Sequence, residues 1–235
     1  MKITVFEKGF NYSQDGPGNR LVYHLSGCNM ICPWCSNPEG MTKSGKEYET
    51  QEIINEIKSS AMMFFDGGGV TFTGGECTLQ ADAVCEIIDS LPEINFCIES
   101  NATTDRFPEI AEKCDTVIVD YKSPDTEKLL SVTGGQIQKI ENNIRLIESE
   151  KYIHIRIPLI HSFNDDDASL DGFIKFFSSL KGNFDVEILP YHEYGKEKWV
   201  KFGKEYTVKN GHVTKETIKK FINKFNTHSI KVIKT

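Results

Sequence analysis

Residues 20–35 read RLVYHLSGCNMICPWC, a strand-like run that ends on three closely spaced cysteines. Its first part, Arg20–Ser26, is rich in Leu, Val and Tyr, a composition typical of buried strands. Similar runs follow along the chain and also predict strands: Val70–Thr73, Asn95–Ser100, Thr116–Tyr121, Ile153–Leu159 and Phe184–Pro190.

Longer segments with apolar residues at three- and four-residue steps separate these runs and predict helices. Thr50 is expected to cap the first helix, which contains Ile53, Ile54, Ile57 and Ala61. Further helices are predicted over about Leu79–Leu91, Ile137–Glu150, Ala168–Leu180 and Thr214–Phe225, and a closing strand-like run over Ser229–Ile233. Such alternation favours an α/β fold with a parallel sheet.

The number of strands indicates the architecture. A closed eight-unit barrel typically needs about 250 residues, whereas this chain has 235 residues and six predicted core strands. We therefore expect residues 1–235 to form a single domain, a partial TIM-like (β/α)6 barrel with parallel strands. In such folds ligands bind at the carboxyl ends of the strands, and the residues capable of chemistry do cluster at the ends of the six runs.

Composition and charge exclude several classes of function. Lys and Arg total 27 against 34 Asp and Glu, and the net charge of −7 argues against nucleic acid or an anionic membrane as partner. The longest apolar run, Ala61–Phe65, has five residues and is too short to span a bilayer. The N-terminus lacks the apolar segment of a signal peptide. Seven cysteines, an odd number, then favour reduced thiols or metal ligands in the cytoplasm.

Cys28, Cys32 and Cys35 form a cluster in the sequence. The scattered cysteines are expected to pack as small hydrophobic residues: Cys77, Cys85, Cys97 and Cys114. The cluster admits a structural zinc site, which needs four ligands and would have to recruit His24 or Cys77.

Two redox interpretations of the cluster are weaker. A thioredoxin-like pair should start a helix, but residues 36–40, SNPEG, break helices. Haem attachment requires His after the last cysteine, where Ser36 stands. An iron–sulfur cluster held by three thiolates instead leaves one iron open to a ligand that is not protein, as in catalytic metal sites.

The spacing C-x3-C-x2-C, with Trp34 before the last cysteine, resembles the radical S-adenosylmethionine (SAM) superfamily. The resemblance to its glycyl-radical-enzyme activases, those of pyruvate formate-lyase in particular, runs nearly end to end. Their other motifs occur here in the same order: Asp15–Arg20, Gly67–Glu76, Asp120–Lys122, Ile155–Ile157 and Leu189–Lys196.

The resemblance implies an anaerobic oxidoreductase with a [4Fe–4S] cluster on Cys28, Cys32 and Cys35 and SAM at the open iron. Reductive cleavage of SAM would yield a 5′-deoxyadenosyl radical that abstracts hydrogen from a backbone glycine of a partner enzyme. The cofactors supply this chemistry, so no catalytic side chain is expected beyond them. The implied partners of this monomer are a glycyl radical enzyme, pyruvate formate-lyase first, and flavodoxin or ferredoxin as electron donor.

The resemblance also implies which residues contact SAM. Gly74 and Gly75 let the backbone approach a ligand, and Glu76 accepts hydrogen bonds from an amino group. The implied SAM-binding set also contains Trp34, Ser36, Glu99, Ser100, Asp120, Tyr121, Lys122, Arg156 and His192. Asp15 and Gly16 are implied to meet the target peptide.

For some of these positions, the residue types alone also predict a role. Asp120 and Lys122 should share one face of a strand, as ligand contacts or as a surface ion pair. Arg156 lies between apolar residues and is expected to have a carboxylate partner. The run Asp165–Asp167 is expected to cap a helix. Glu99 and Ser100 stand where pyruvate formate-lyase activases usually have Asp and Thr, which help to hold a monovalent cation. The existence of a cation site in this chain is therefore an open question.

Two alternatives for the function remain. Residues 36–39, SNPE, resemble the activases of other glycyl radical enzymes, of dehydratase or lyase type, which carry extra cysteine clusters. The 31 residues between Cys35 and Gly67 contain no cysteine, however. From another class, a non-catalytic zinc or electron-transfer module would use the same three cysteines.

Overall fold

The computed structural model describes residues 1–233, which form two compact units. The first unit comprises residues 1–29, 37–100 and 104–118. The second comprises residues 30–36, 101–103 and the chain from Val119 onward. Within the described residues no helix combines the length and the apolar composition that a bilayer crossing requires.

The strands of the first unit lie in the order β3-β1-β2-β4-β5-β6. Their bounds are β1 (Lys2–Tyr12), β2 (Asn19–Leu25), β3 (Lys46–Glu49), β4 (Gly69–Gly74), β5 (Phe96–Ser100) and β6 (Thr116–Asp120). The pairs β2–β4 and β4–β5 are parallel, whereas β1 pairs antiparallel with β2 and β3. The helices are α1 (Thr50–Ser60), α2 (Ala81–Asp89) and α3 (Phe107–Lys113).

The end of β6 belongs to the second unit, where the strand order is β6-β7-β8-β9. The remaining strands, β7 (Ile153–Leu159), β8 (Phe184–Pro190) and β9 (Val232–Ile233), pair in parallel. The helices are α4 (Thr126–Thr133), α5 (Ile137–Ile147), α6 (Asp167–Phe177), α7 (Lys196–Lys201) and α8 (Lys215–Thr227). Alternation along β7 buries Ile153, Ile155 and Ile157 on one face and leaves the other face polar.

This mostly parallel sheet with intervening helices confirms the α/β class, and the strand order does not close on itself within residues 1–233, as a partial barrel requires. Strands β7 and β8 have the predicted bounds, and β2, β4, β5 and β6 differ from them by single residues. Strand β1 was not predicted from the sequence, and it precedes the strand that begins near residue 20. A single domain remains a prediction.

The prediction for the start of α1 was also wrong. Thr50 is the first helical residue, and the cap is Glu49, which forms a reciprocal capping box with Glu52. The Thr50 hydroxyl instead accepts a hydrogen bond from the N-terminal ammonium group at 3.0 Å. The predicted cap in the Asp165–Asp167 run is confirmed, since the Asp166 carboxylate accepts from the Ser169 N–H at 2.7 Å.

Candidate cofactor-binding site

In the first unit, the glycine-rich end of β4 packs directly on the start of the cysteine motif. A Cβ atom on Gly75 would lie 2.2 Å from the Gly27 carbonyl oxygen and 2.3 Å from that of Gly40, so only glycine fits. The Glu76 N–H donates to the Gly27 carbonyl at 2.7 Å. The backbone therefore fixes Glu76 beside the residue that precedes Cys28.

Two predicted site residues, Glu76 and Ser100, are in contact at the ends of β4 and β5. Glu76 is 1% exposed, and its Oε1 accepts from Ser100 Oγ at 2.7 Å. The same oxygen accepts from the Thr78 N–H at 3.1 Å and the Thr78 hydroxyl at 2.6 Å. The neighbouring Glu99 accepts from Thr73 Oγ1 at 2.8 Å. Two carboxylates at adjacent strand ends form an acceptor-rich edge that suits an ammonium group.

The loop that contains Asp15 and Gly16 packs against the amino-terminal halves of β4 and β5. The Asp15 carbonyl accepts from Thr71 Oγ1 at 2.6 Å, and the Asp15 carboxylate accepts from the Asn11 amide. Gly16 has φ +114°, and a Cβ atom there would lie 3.1 Å from Cys97 Sγ. The chain therefore needs glycine at this position for both its backbone angle and its contact.

Arg20 holds this loop, a role that the sequence does not predict. The guanidinium is 1% exposed and donates to Thr71 Oγ1 at 2.7 Å and to the Pro17 carbonyl at 3.1 Å. It also donates to the carbonyls of Gly67, Val70 and Asn95 and to Asn95 Oδ1, at 2.7–3.3 Å. Burial lowers the pKa of Arg20, although arginine remains charged. The rigid guanidinium therefore joins the loop to the first residues of β4.

In the second unit, Cys32 is buried and Cys35 is half-buried. The Cys35 N–H donates to the Cys32 carbonyl at 3.1 Å, which closes a tight turn. The Cys35 carbonyl accepts from the Trp199 indole N–H at 2.9 Å. A Cβ atom on Gly195 would lie 2.4 Å from that carbonyl oxygen, so glycine is needed for this approach. The C-terminal motif therefore holds the backbone of the third cysteine.

The aromatic residue of the cysteine motif packs within the second unit as well. The ring centroids of Trp34 and Phe163 are 4.6 Å apart, and Phe163 is buried. Trp34 and the following Ser36 are half-exposed. Both residues are thus partly accessible to solvent.

At the end of β6, the three predicted site residues point in two different directions. Lys122 Nζ lies 2.7 Å from Asp120 Oδ2, and the lysine side chain is only 9% exposed, so this pair is more enclosed than a surface ion pair. The Tyr121 ring packs at 5.1 Å on Phe176 of α6, and its hydroxyl donates to Glu141 at 2.7 Å. The Tyr121 side chain therefore belongs to the core, and its N–H donates to the Arg156 carbonyl at 2.8 Å.

Arg156 has the carboxylate partner that its apolar surroundings predict. Its Nε donates to Glu187 Oε2 at 3.0 Å across β7 and β8. His154 bridges the same strands, with Nε2 3.0 Å from Glu187 Oε2 and Nδ1 2.5 Å from Asp185 Oδ1. Burial opposes the charge on His154, but the hydrogen bonds to Asp185 and Glu187 outweigh it and raise its pKa. The polar face of β7 is thus a network of paired charges.

His192, after β8, is half-buried and stacks at 4.2 Å on the exposed ring of Tyr194. Burial lowers the pKa of His192. A neutral imidazole is therefore the main form at pH 7, and it can both accept and donate hydrogen bonds.

The four scattered cysteines are buried, as predicted. Burial raises the pKa of the Cys77 thiol, and a protonated thiol is a poor metal ligand. Within either unit, residues 1–233 contain no group of three His, Cys, Asp or Glu side chains placed to bind a metal. Cys28 belongs to the first unit and the other two motif cysteines to the second, so their assignment as ligands rests on spacing and family.

Comparison with known proteins decides the family. A family model described as the radical SAM superfamily matches residues 22–173, well over half of the chain. The chain belongs to the radical SAM superfamily. It is 32% identical over 207 residues to the pyruvate formate-lyase 1-activating enzyme of Escherichia coli K12, covering 82% of each chain. It is 27% identical over 263 residues to the 4-hydroxyphenylacetate decarboxylase activating enzyme of Clostridioides difficile, covering 82% of this chain and 83% of that one.

A solved structure agrees with this membership. The crystal structure of a domain of pyruvate formate-lyase-activating enzyme from Bacteroides vulgatus superposes with a TM-score of 0.58 at 25% identity, covering 72% of this chain and 99% of that one. A radical SAM enzyme uses a [4Fe–4S] cluster and SAM, which decides the cysteine motif in favour of iron and sulfur over zinc. The donors fit this demand, since three thiolates leave one iron open, and the Gly75 contact brings the acceptor-rich edge to the motif.

Proposed function

We propose that this radical SAM enzyme activates a glycyl radical enzyme, with pyruvate formate-lyase as its target. The carrying observation is that polar residues implied to bind SAM stand at the ends of four strands. Glu76 follows β4, Ser100 ends β5, Lys122 follows β6 and His192 follows β8. Two of the activating enzymes named above each align with about four fifths of the chain.

In this proposal Cys28, Cys32 and Cys35 hold the cluster. When bound, the cluster and SAM supply a one-electron reductive cleavage that leads to hydrogen abstraction from a glycine of the target. Glu76 accepts hydrogen bonds from the amino group of SAM. Lys122 offers its ammonium group to the carboxylate of the ligand.

The remaining site residues bind and orient. Arg156, held by Glu187, is a second cation for the ligand carboxylate, and neutral His192 is a hydrogen-bonding contact for the nucleoside. Trp34 covers the ligand and excludes water. Asp15 and Gly16 meet the target peptide, and Arg20 keeps their loop in place.

The proposal extends to the setting of the reaction. The enzyme acts as a monomer in the cytoplasm, where thiols stay reduced, and receives electrons from flavodoxin or ferredoxin. A potassium titration of SAM binding tests for a monovalent cation beside the ligand: a dependence of SAM affinity on potassium that is lost in Glu99→Ala would locate the cation at Glu99.

The test begins with anaerobic reconstitution with iron and sulfide, reduction with dithionite and addition of SAM and pyruvate formate-lyase. We expect a brown protein, 5′-deoxyadenosine and a glycyl doublet in the EPR spectrum. Absence of 5′-deoxyadenosine would refute the radical SAM assignment for this chain. A doublet with 4-hydroxyphenylacetate decarboxylase but not with pyruvate formate-lyase would change the target. Activation of a glycyl radical enzyme other than pyruvate formate-lyase is the second candidate function, which the SNPE sequence at residues 36–39 favours.

A further inference from the structure

The segment that follows β8 has a charge opposite to that of the whole chain. Residues 196–209 contain five lysines and two glutamates, whereas the net charge of the protein is −7. Lys196, Lys201, Lys204 and Lys209 are exposed on α7 and the loop after it. Lys196 pairs with Glu193 at 2.9 Å, so the other three contribute most of the positive potential. We call these three lysines the basic surface.

Exposed apolar groups lie next to the basic surface along the chain. Tyr194 is 83% exposed and Val200 is 69% exposed. Aromatic residues such as Tyr are enriched in protein interfaces. The exposed Glu197 and Glu205 lie in the same segment, and they reduce its positive charge without reversing it.

The basic surface is joined to the third cysteine of the motif. Trp199 is 8% exposed, lies in α7 between the lysines, and donates its indole N–H to the Cys35 carbonyl at 2.9 Å. The Gly195 backbone, just before α7, also packs against that carbonyl. A protein docked on α7 would therefore be separated from the Cys35 backbone by one layer of side chains.

We propose that the basic surface is the docking site of the electron donor, a small acidic one-electron carrier protein. Charge complementarity selects an acidic partner for a positive patch on a negative protein. The contact between Trp199 and Cys35 places that partner close to the group that it must reduce. With a cluster held by the motif cysteines, the donor would give up one electron and the enzyme would take it up, with no bond formed or broken.

This inference rests on the proposed function. Electrostatic docking also predicts a rate that depends on salt, because exposed charges are screened over about 10 Å at 0.1 M ionic strength.

The test compares a reversed surface, Lys201→Glu with Lys204→Glu and Lys209→Glu, with a control of equal charge change, Lys58→Glu with Lys175→Glu and Lys181→Glu. All six lysines are exposed. Photoreduced acidic flavodoxin is mixed with each reconstituted enzyme in an anaerobic stopped-flow instrument, and reoxidation of the flavin is followed. We expect the reversed surface to slow the second-order rate about tenfold or more at low salt, with the difference vanishing near 1 M salt.

Dithionite separates this inference from the proposed function, because it needs no docking site. All variants should cleave SAM equally with dithionite, and failure of the wild type there would refute the proposed function instead. Equal flavodoxin rates in both triple variants would overturn the docking site. So would loss of glycyl radical formation with dithionite in the reversed variant alone, since the surface would then bind the target. If the reversed variant does not fold, the three Lys→Gln replacements must still slow the rate by an intermediate factor.

Discussion

Replacing Arg20 by lysine tests whether this residue fixes the Asp15 loop. Arginine makes six hydrogen bonds there from three nitrogen atoms. Lysine keeps the charge but has three donors, so at least three acceptors lose their partner. At a net of about 1 kcal/mol per hydrogen bond, we expect a loss of about 3 kcal/mol in the free energy of unfolding. For a chain of this length that corresponds to about 6–12 °C in Tm.

The assay is urea and thermal unfolding of the cluster-free protein, followed by circular dichroism in the presence of a thiol reductant. The matched control is Arg145→Lys. Arg145 is exposed and donates to Ser179 Oγ at 2.7 Å, so its replacement should cost less than about 0.5 kcal/mol. Equal losses in the two variants would refute the reasoning, since the Arg20 network would then contribute no more than a surface contact.

Three further perturbations address the site. Gly75→Ala forces a Cβ atom against two backbone carbonyls and should lower the free energy of unfolding in urea by about 3 kcal/mol. The control Gly9→Ala, with open space around it, should leave that free energy unchanged. A Gly75→Ala variant as stable as the wild type would contradict the packing argument. The raised pKa of His154 stabilises the fold below pH 6.5, and this contribution is lost as pH rises through the pKa of the folded state. His154→Asn should therefore reduce the decrease in the free energy of unfolding that accompanies rising pH above 6.5. An unchanged pH dependence would show that the charge network of His154 does not contribute to stability. Alanine at any motif cysteine should abolish the brown absorbance and iron content after reconstitution, whereas Cys85→Ala should keep both; equal loss would show that the cysteines were divided wrongly.

The predictable parts of the fold are those with strong local patterns. Strand β7 was predicted in full because its apolar residues alternate with polar ones between clear boundaries. Strand β1 was missed because Ile3 and Val5 are the buried residues among its eleven, and its pairing with β2 rather than its own hydrophobicity defines it. The short helices α3 and α7 contain too few residues to show a helical period.

Within the site, the sequence predicts the chemical type of a side chain's hydrogen-bond partner more readily than which residue that partner is. A carboxylate for Arg156 followed from burial, but Glu187 lies 31 positions away on another strand. The role of Arg20 depends on Asn95, 75 positions away. The direction of Tyr121, by contrast, was available from the sequence, because alternation along β6 places its side chain opposite to those of Asp120 and Lys122.

The hydrogen bond from Trp199 to the Cys35 carbonyl has a consequence for biosynthesis, because 164 positions separate its partners. At about 5–20 residues per second, translation delivers the indole on the order of ten seconds or more after the cysteines have been made. The nascent cysteine loop lacks this anchor throughout that interval. The native backbone around Cys35 is therefore completed only after Trp199 has been synthesised, so insertion of a cluster into the finished loop follows that point.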